Sequence, residues 1–185
     1  VAGNTVLGES ALDASVSGGD NTAIGKQALT SNTSGNFNTT VGSLSLDANT
    51  TGAKNTSVGY GSLSAASTGS DNTCIGYTAG LNITTASNNT AFGSISLVSN
   101  TTGTQNVAIG RGALNANTTA DDNTSVGMNA LLLNTTGANN VAVGSLALDA
   151  NTTASNNTAV GYQSLTANTT GTQNVAVGKE ALAAN

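Results

Sequence analysis

The pentapeptide Asn21-Thr22-Ala23-Ile24-Gly25 opens a 17-residue unit that recurs along the whole chain without insertion or deletion. We number the positions of this repeat from 1 at its asparagine, and position 5 is glycine in all eleven copies. A fixed short period with an invariant glycine is typical of stacked solenoids. We therefore predict an all-β fold, a parallel β-solenoid or β-roll of eleven 17-residue coils. The coils start at Asn4, Asn21, Asn38, Asn55, Asn72, Asn89, Asn106, Asn123, Asn140, Asn157 and Asn174.

The composition favours an ordered repeat array over both disorder and an ordinary globular domain. The 185 residues include no Pro, His or Trp, 23 Gly and only 7% charged residues. Disordered chains are usually rich in charge and poor in β-branched residues, whereas here charge is scarce and Thr and Val are plentiful. We predict a single repeat array over residues 1–185. Because neither end carries a polar capping repeat, we expect it to be a segment of a longer fibre.

Positions 2 to 4 predict one short strand in each coil. Thr22-Ala23-Ile24 and Thr90-Ala91-Phe92 show the pattern: Thr or Val, then a small residue, then an apolar one. Such residues favour strands, and alternation places positions 2 and 4 on one face and position 3 on the other. Since position 4 is always apolar, its face is expected to line the coil interior. The small residues at position 3 are then expected to lie on an outer face where another backbone packs closely.

The rest of the coil predicts a second core element and a closing turn. Position 9 is Leu in ten of eleven copies, which fits a second strand, an extended turn or a single helical turn. Asn100-Thr101-Thr102-Gly103 is typical of the closing turn, in which Asn and Gly tolerate left-handed backbone. Stacked turns of this kind should align their Asn and Thr residues into hydrogen-bonded ladders. The coil that starts at Asn72 has Gly80 in place of Leu, and we expect it to turn differently.

Charged and aromatic residues occupy a few positions that we expect to face water. All thirteen charged residues fall at positions 6, 7, 10, 16 or 17, and all three tyrosines fall at position 6. Residues at position 6 could make weak, repeated surface contacts whose avidity grows with copy number. The simpler interpretation is an exposed position that tolerates many side chains. The candidate contact residues are Tyr60, Tyr77, Tyr162, Lys26, Arg111 and Lys179.

Several function classes lack the residues that they require. The net charge of −5 is spread along the chain, which leaves no basic stripe for nucleic acid. No apolar run approaches the ~18 residues of a membrane span. Cys74 is the single cysteine and is expected to be a small buried side chain, which excludes an intramolecular disulfide and a cysteine-rich metal site. Without His, and with Asp121-Asp122 expected to meet solvent, we predict no enzyme, no metal site and no cofactor.

The segment 157–171, Asn-Thr-Ala-Val-Gly-Tyr-Gln-Ser-Leu-Thr-Ala-Asn-Thr-Thr-Gly, resembles repeats in the heads and stalks of trimeric autotransporter adhesins. It resembles still more closely the Asn-Thr-Ala-Val-Gly repeats of phage tail-fibre-like proteins, and the likeness covers essentially the whole chain. The familiar adhesin coil is shorter than this one. The resemblance implies a left-handed parallel β-roll, three parallel chains, and display outside the cell, on the cell surface or on a virion. It implies no catalytic residues.

Two functions of different classes follow as expectations. The first is a structural fibre or stalk segment of an extracellular adhesin or phage tail fibre, which extends or presents a receptor-binding element. Its partners would be copies of itself, in a trimer or filament, and a cell-surface glycan or protein receptor. The alternative is an ice-binding solenoid with ranked threonines. Against it, Thr101 and Thr102 are adjacent and would point to opposite faces of a strand, and Val107, Val141 and Val175 interrupt the threonines of position 2.

Overall fold

The computed structural model describes residues 3–14 and 16–184 and confirms the predicted parallel β-solenoid. Each coil contributes one three-residue strand, and all eleven strands pair in parallel and in chain order within one sheet. The register is the repeat itself, as in Thr22 opposite Thr39 and Ile24 opposite Val41. At ~4.8 Å per strand the array is roughly 53 Å long. The strands are β1 Thr5–Leu7, β2 Thr22–Ile24, β3 Thr39–Val41, β4 Thr56–Val58, β5 Thr73–Ile75, β6 Thr90–Phe92, β7 Val107–Ile109, β8 Thr124–Val126, β9 Val141–Val143, β10 Thr158–Val160 and β11 Val175–Val177.

The two faces of the sheet are the reverse of those predicted. The small residue at position 3 points inward, and from Ala23 to Ala159 it is fully buried within the single chain. The apolar residue at position 4 points outward, with Phe92 53% and Ile109 38% exposed. The reason is space: every narrow coil except that of Asn72 holds a leucine at its centre, so only a small side chain fits opposite it. The predicted outer face of small residues is therefore wrong, and the outer face carries the apolar residues of position 4 beside the threonines and valines of position 2.

The leucine of position 9 is the central core residue, as predicted, and it is carried by a turn. Leu29, Leu114 and Leu165 are fully buried, and the chain from position 6 to position 11 is a continuous turn without a second strand. Leu29 has a φ of 54°, and Gln27, at position 7, has a φ of 56°. Left-handed backbone costs a non-glycine residue ~1–2 kcal/mol. Burial of a leucine returns ~1.5–3 kcal/mol, which offsets the strain at position 9.

Two buried ladders of asparagines run along the rod. At position 1, the backbone N–H of Asn38 donates to Oδ1 of Asn21 at 2.9 Å, and its Nδ2 donates to the carbonyl of Gly52 at 2.9 Å. At position 12, Nδ2 of Asn49 donates to Oδ1 of Asn32 at 2.9 Å. This second ladder confirms the predicted stacking of turn asparagines. Ala66 interrupts it, which leaves Oδ1 of Asn49 buried without a partner.

Two local expectations about turns are wrong. The left-handed residue near the closing turn lies at position 17, as in Asp71 with a φ of 57°, and not at the Asn or Gly of that turn. The glycine there provides room instead, since a Cβ on Gly103 would lie 2.3 Å from the carbonyl oxygen of Ala120. The coil of Asn72 also keeps the common turn. Gly80 has a φ of 62° and donates to the carbonyl of Ser96, as a leucine at that position does in other coils.

Candidate functional site

The six candidate contact residues lie on a corner that follows the sheet. Glycine at position 5, with a φ of 134° at Gly93, turns the chain away from the strand, and position 6 then projects outward. All six side chains are exposed, which confirms the prediction that position 6 faces water. We call the residues at position 6 of successive coils the corner row. The six candidates in this row are Lys26, Tyr60, Tyr77, Arg111, Tyr162 and Lys179.

The structure brings two of these six residues into direct contact. The rings of Tyr60 and Tyr77, in adjacent coils, stack with centroids 5.7 Å apart and an interplanar angle of 13°. The two side chains remain 51% and 58% exposed. Tyr162, which is 45% exposed, lies between Ser145 and Lys179 in the same row and has no aromatic neighbour there. The stacked pair therefore occurs once along the part of the row that the structure describes.

The cations of the corner row differ in their partners. Nζ of Lys26 lies 3.1 Å from Oε2 of Glu9, and Nζ of Lys179 lies 3.2 Å from Oε1 of Glu180. All four side chains are more than half exposed, and such surface pairs contribute little to stability. Arg111 forms no ion pair with any residue that the structure describes. Its charge is therefore available to a ligand.

The outer face of the sheet is a second candidate surface. Positions 2 and 4 point outward together, so a row of threonines and valines lies beside a row of larger aliphatic side chains. No charged residue occupies either position in any coil. Sequence reasoning missed this surface because it assigned the aliphatic row to the core. The sequence feature that could have indicated it is the small residue at position 3, which fits inside a coil that already holds the leucine of position 9. The most exposed members are Leu7, Val41, Phe92, Ile109, Val143, Val175 and Val177.

The hydroxyl residues of the closing turn form a third surface. The first threonine of each pair holds adjacent coils together, as when Oγ1 of Thr101 donates to the carbonyl of Thr118 at 3.0 Å. The second, at position 14, projects into solvent. The position-14 row is Ser or Thr without interruption: Ser17, Ser34, Thr51, Thr68, Thr85, Thr102, Thr119, Thr136, Thr153 and Thr170.

The interior of the rod offers no reactive group. No enclosed pocket forms among residues 3–14 and 16–184, nor do three or more His, Cys, Asp or Glu side chains cluster there. Cys74 is fully buried, as predicted, and burial raises the pKa of its thiol from 9.0 to about 12. The thiol is therefore protonated at neutral pH and is a packing residue. The surfaces that can carry function are the corner row, the sheet face and the position-14 row.

Comparisons with known proteins identify no relative of this chain. No protein family, no curated protein and no solved structure matches the chain. Within the described residues, no helix has the length and apolar character to cross a membrane.

Proposed function

We propose that this chain is a structural fibre segment that, in an extracellular adhesin or a virion tail fibre, extends or presents a receptor-binding element. The observation that carries the proposal is the continuity of axial hydrogen bonding. Successive coils bond to each other through the strand and the turn, and the first ten coils also through the closing segment. From the coil of Asn72 to the next coil, the backbone N–H of Thr73 donates to the carbonyl of Asn89 at 2.8 Å. That of Gly80 donates to the carbonyl of Ser96 at 2.9 Å, and that of Thr84 to the carbonyl of Thr101 at 3.1 Å. Such bonding resists extension along the axis.

The outer face of the sheet supports association of copies of the chain, which we propose form a parallel trimer. Eleven strands of three residues present roughly 500 Å² of flat face, and apolar patches of ~300–600 Å² on soluble proteins are often functional. Since positions 2 and 4 carry no charge, no repulsion or desolvation of ions opposes packing there. A face only three residues wide is narrow enough for three copies to converge on one axis. Ile109 and Val143 would then become buried.

The native mass of the chain tests this proposal. Light scattering on a sizing column should give three times the chain mass of 17.9 kDa. In the double variant Ile109→Lys/Val143→Lys, ammonium groups on the sheet face should reduce the mass to that of one chain. Thr119→Lys/Thr153→Lys is the matched control, because it adds the same charges to the position-14 row of the same coils. A folded wild-type monomer, or a sheet-face variant that stays trimeric, would contradict the proposed interface.

The uninterrupted position-14 row favours ice binding as a second candidate. A row of exposed hydroxyl groups at a regular spacing is a required part of a surface that orders water. The neighbouring outward positions argue against it, because Lys54, Asp121 and Asp122 interrupt a flat hydroxyl array beside the row. Thermal hysteresis in the wild type that is lost in Thr119→Lys/Thr153→Lys would establish the ice-binding function. Its absence in a trimeric wild type would leave the fibre as the supported function.

A further inference from the structure

We propose that the corner row carries a binding site for an acidic glycan, a saccharide whose sugar rings bear carboxylates, on the side of the rod. The site goes beyond the structural role, because it assigns recognition to the shaft itself. Six consecutive coils place a cation, a serine, two tyrosines, a serine and a cation in line, an order with approximate twofold symmetry about the tyrosine pair. These residues are Lys26, Ser43, Tyr60, Tyr77, Ser94 and Arg111.

The tyrosine pair provides two outward-facing aromatic surfaces. Because Tyr60 and Tyr77 stack on one another, each ring covers one face of its partner and leaves its other face free. The free face of Tyr60 is on the side of Ser43, and that of Tyr77 is on the side of Ser94. Stacking also restrains both side chains, so that less rotamer freedom is lost when a ligand binds. The pair is a preorganised platform for a flat apolar ring face.

A slot for one sugar ring adjoins each free aromatic face. Adjacent coils are ~4.8 Å apart, so Lys26 and Tyr60 are separated by roughly 9.6 Å along the axis with only the small Ser43 between them. Ser94 lies in the same way between Tyr77 and Arg111. A sugar ring over either serine would stack on the tyrosine, and its substituents would face the cation. The serine hydroxyl at the floor of each slot could bond to a sugar hydroxyl.

The charges around the slots favour a carboxylate on that ring. Arg111 pairs with no acid among the described residues, and the exposed pair of Lys26 with Glu9 is weak enough to be exchanged. On the turn side, Asp47 of the Ser43 coil accepts a hydrogen bond from Ser64 at 2.6 Å. Positions 4 and 7, which flank the four central residues of the row, are uncharged: Val41, Leu44, Val58, Gly61, Ile75, Thr78, Phe92 and Ile95.

The spacing of the cations disfavours a nucleic acid, which also combines stacking with negative charge. Lys26 and Arg111 are five coils apart, about 24 Å, with no cation between them in the row. Single-stranded nucleic acid carries a phosphate on every nucleotide and is bound in positively charged grooves that follow its backbone. Two cations on a chain of net charge −5 cannot provide such a groove. Widely spaced carboxylates on a glycan match the two ends of the row.

The test is a titration of the full chain with an oligouronate and with its carboxyl-reduced, neutral counterpart. Calorimetric titration is the readout, because a chain with three tyrosines and no tryptophan loses its fluorescent reporter when Tyr60 and Tyr77 are replaced. We expect saturable binding of the oligouronate. Tyr60→Ala/Tyr77→Ala should weaken it by about tenfold or more, the scale of losing aromatic stacking. Tyr162→Ala, which removes the isolated tyrosine of the same row, should leave it unchanged, and Tyr60→Phe/Tyr77→Phe should retain it.

Further variants test the contribution of the cations to binding and the dependence of binding on the oligomeric state. Lys26→Gln/Arg111→Gln should bind the oligouronate no more tightly than the neutral counterpart. Because the site lies within one chain, Ile109→Lys/Val143→Lys should still bind the oligouronate, at least as tightly as the wild type, even when it is monomeric. Failure of the fibre proposal would therefore not affect this one. Absence of oligouronate binding, equal affinity of the wild type for both saccharides, equal loss in Tyr162→Ala, or tighter binding of a single-stranded oligonucleotide would overturn the proposal.

Discussion

The Sγ atom of Cys74 occupies the space that a side chain at Gly80 would need, since a Cβ built on Gly80 would lie 2.6 Å from it. The same Cβ would lie 3.0 Å from Cδ1 of Ile83. Gly80 stands where ten of the eleven coils have the central leucine, and Ile83 stands where most of them have the asparagine of the second ladder. Both Cys74 and Ile83 are fully buried. The interior of this coil is therefore filled by the side chains of Cys74 and Ile83, and the turn at Gly80 contributes none.

Because Cys74 and Ile83 fill the space beside Gly80, we expect that introducing the common leucine at position 80 alone destabilises the rod. Gly80→Leu should lower the free energy of unfolding by about 1–3 kcal/mol, because the interior would be overpacked. The triple variant Gly80→Leu/Cys74→Ala/Ile83→Asn, which rebuilds the common interior, should recover most of that loss. Urea unfolding at one fixed protein concentration measures both. A single variant as stable as the wild type would show that the interior can expand.

The invariant glycine of position 5 leads to a second prediction, with a matched control two residues away. Gly59 has a φ of 129°, and a Cβ there would lie 2.4 Å from the carbonyl oxygen of Gly76. Gly61 has a φ of 60°, but an added Cβ would make only ordinary contacts, with Cγ2 of Thr78 at 3.5 Å and Cδ1 of Leu81 at 3.8 Å. Other coils place larger residues in that conformation. Gly59→Ala should cost at least about 2 kcal/mol of stability.

Gly61→Ala should cost less than Gly59→Ala, at most the ~1–2 kcal/mol of a left-handed alanine. Both variants replace a glycine by alanine at the same corner of one coil. The difference between their thermal unfolding temperatures therefore separates the effect of the backbone clash from that of left-handed strain. Equal losses would mean that the close approach of Gly59 to Gly76 is not what keeps position 5 glycine.

Sequence alone could predict the period, the pairing register and the exposure of the charged and tyrosine side chains at position 6, because each follows from counting. The adjacency of Tyr60 and Tyr77 is a consequence of the 17-residue period and needs no further information. The inward face could not be predicted, because alternation separates Ala23 from Ile24 without saying which is inside. Hydrophobicity alone predicts that Ile24 lies inside the coil. In the structure Ala23 lies inside, because the space beside Leu29 admits only a small side chain. The left-handed backbone of Leu29 runs against the intrinsic preference of leucine, so no local rule would predict it.

The buried thiol of Cys74 leads to a prediction about alkaline pH. Burial raises its pKa from 9.0 to about 12, so the folded state keeps the proton while the unfolded chain loses it above pH 9. Stability should therefore fall between pH 9 and 12 by about 1.4 kcal/mol per pH unit from this group. Cys74→Ser lacks this contribution, and serine already occupies position 3 in other coils. The difference in unfolding free energy between wild type and variant, followed against pH, isolates it.

A thiol reagent provides a second readout of the same group. Cys74 should react with a chromogenic disulfide only at the rate of unfolding at neutral pH, and rapidly in denaturant. Rapid reaction of the native protein would place the thiol at the surface and would contradict the interior described for its coil.

The first asparagine ladder can be tested at Asn55, where one amide joins three coils. Its Nδ2 donates to the carbonyl of Gly69 at 2.8 Å and to Oδ1 of Asn38 at 3.2 Å, and its Oδ1 accepts from the backbone N–H of Asn72 at 3.0 Å. Asn55→Asp preserves the shape and the acceptor but removes both donations and buries a carboxylate. Each unsatisfied buried group costs ~1–3 kcal/mol, more when a charge is involved.

We therefore expect Asn55→Asp to lose several kcal/mol at neutral pH, from the carbonyl of Gly69 left without its donor and from the buried carboxylate. Oδ1 of Asn38 stays paired, because it still accepts the backbone N–H of residue 55 at 3.0 Å. Part of the loss should be recovered as the pH falls, because a protonated carboxyl group can again donate one hydrogen bond. Asn82→Asp makes the same chemical change at an exposed position and should stay within about 0.5 kcal/mol of the wild type. Urea midpoints of the three proteins across acidic and neutral pH decide the question. If Asn55→Asp unfolds like Asn82→Asp at every pH, the ladder aligns the coils without stabilising them.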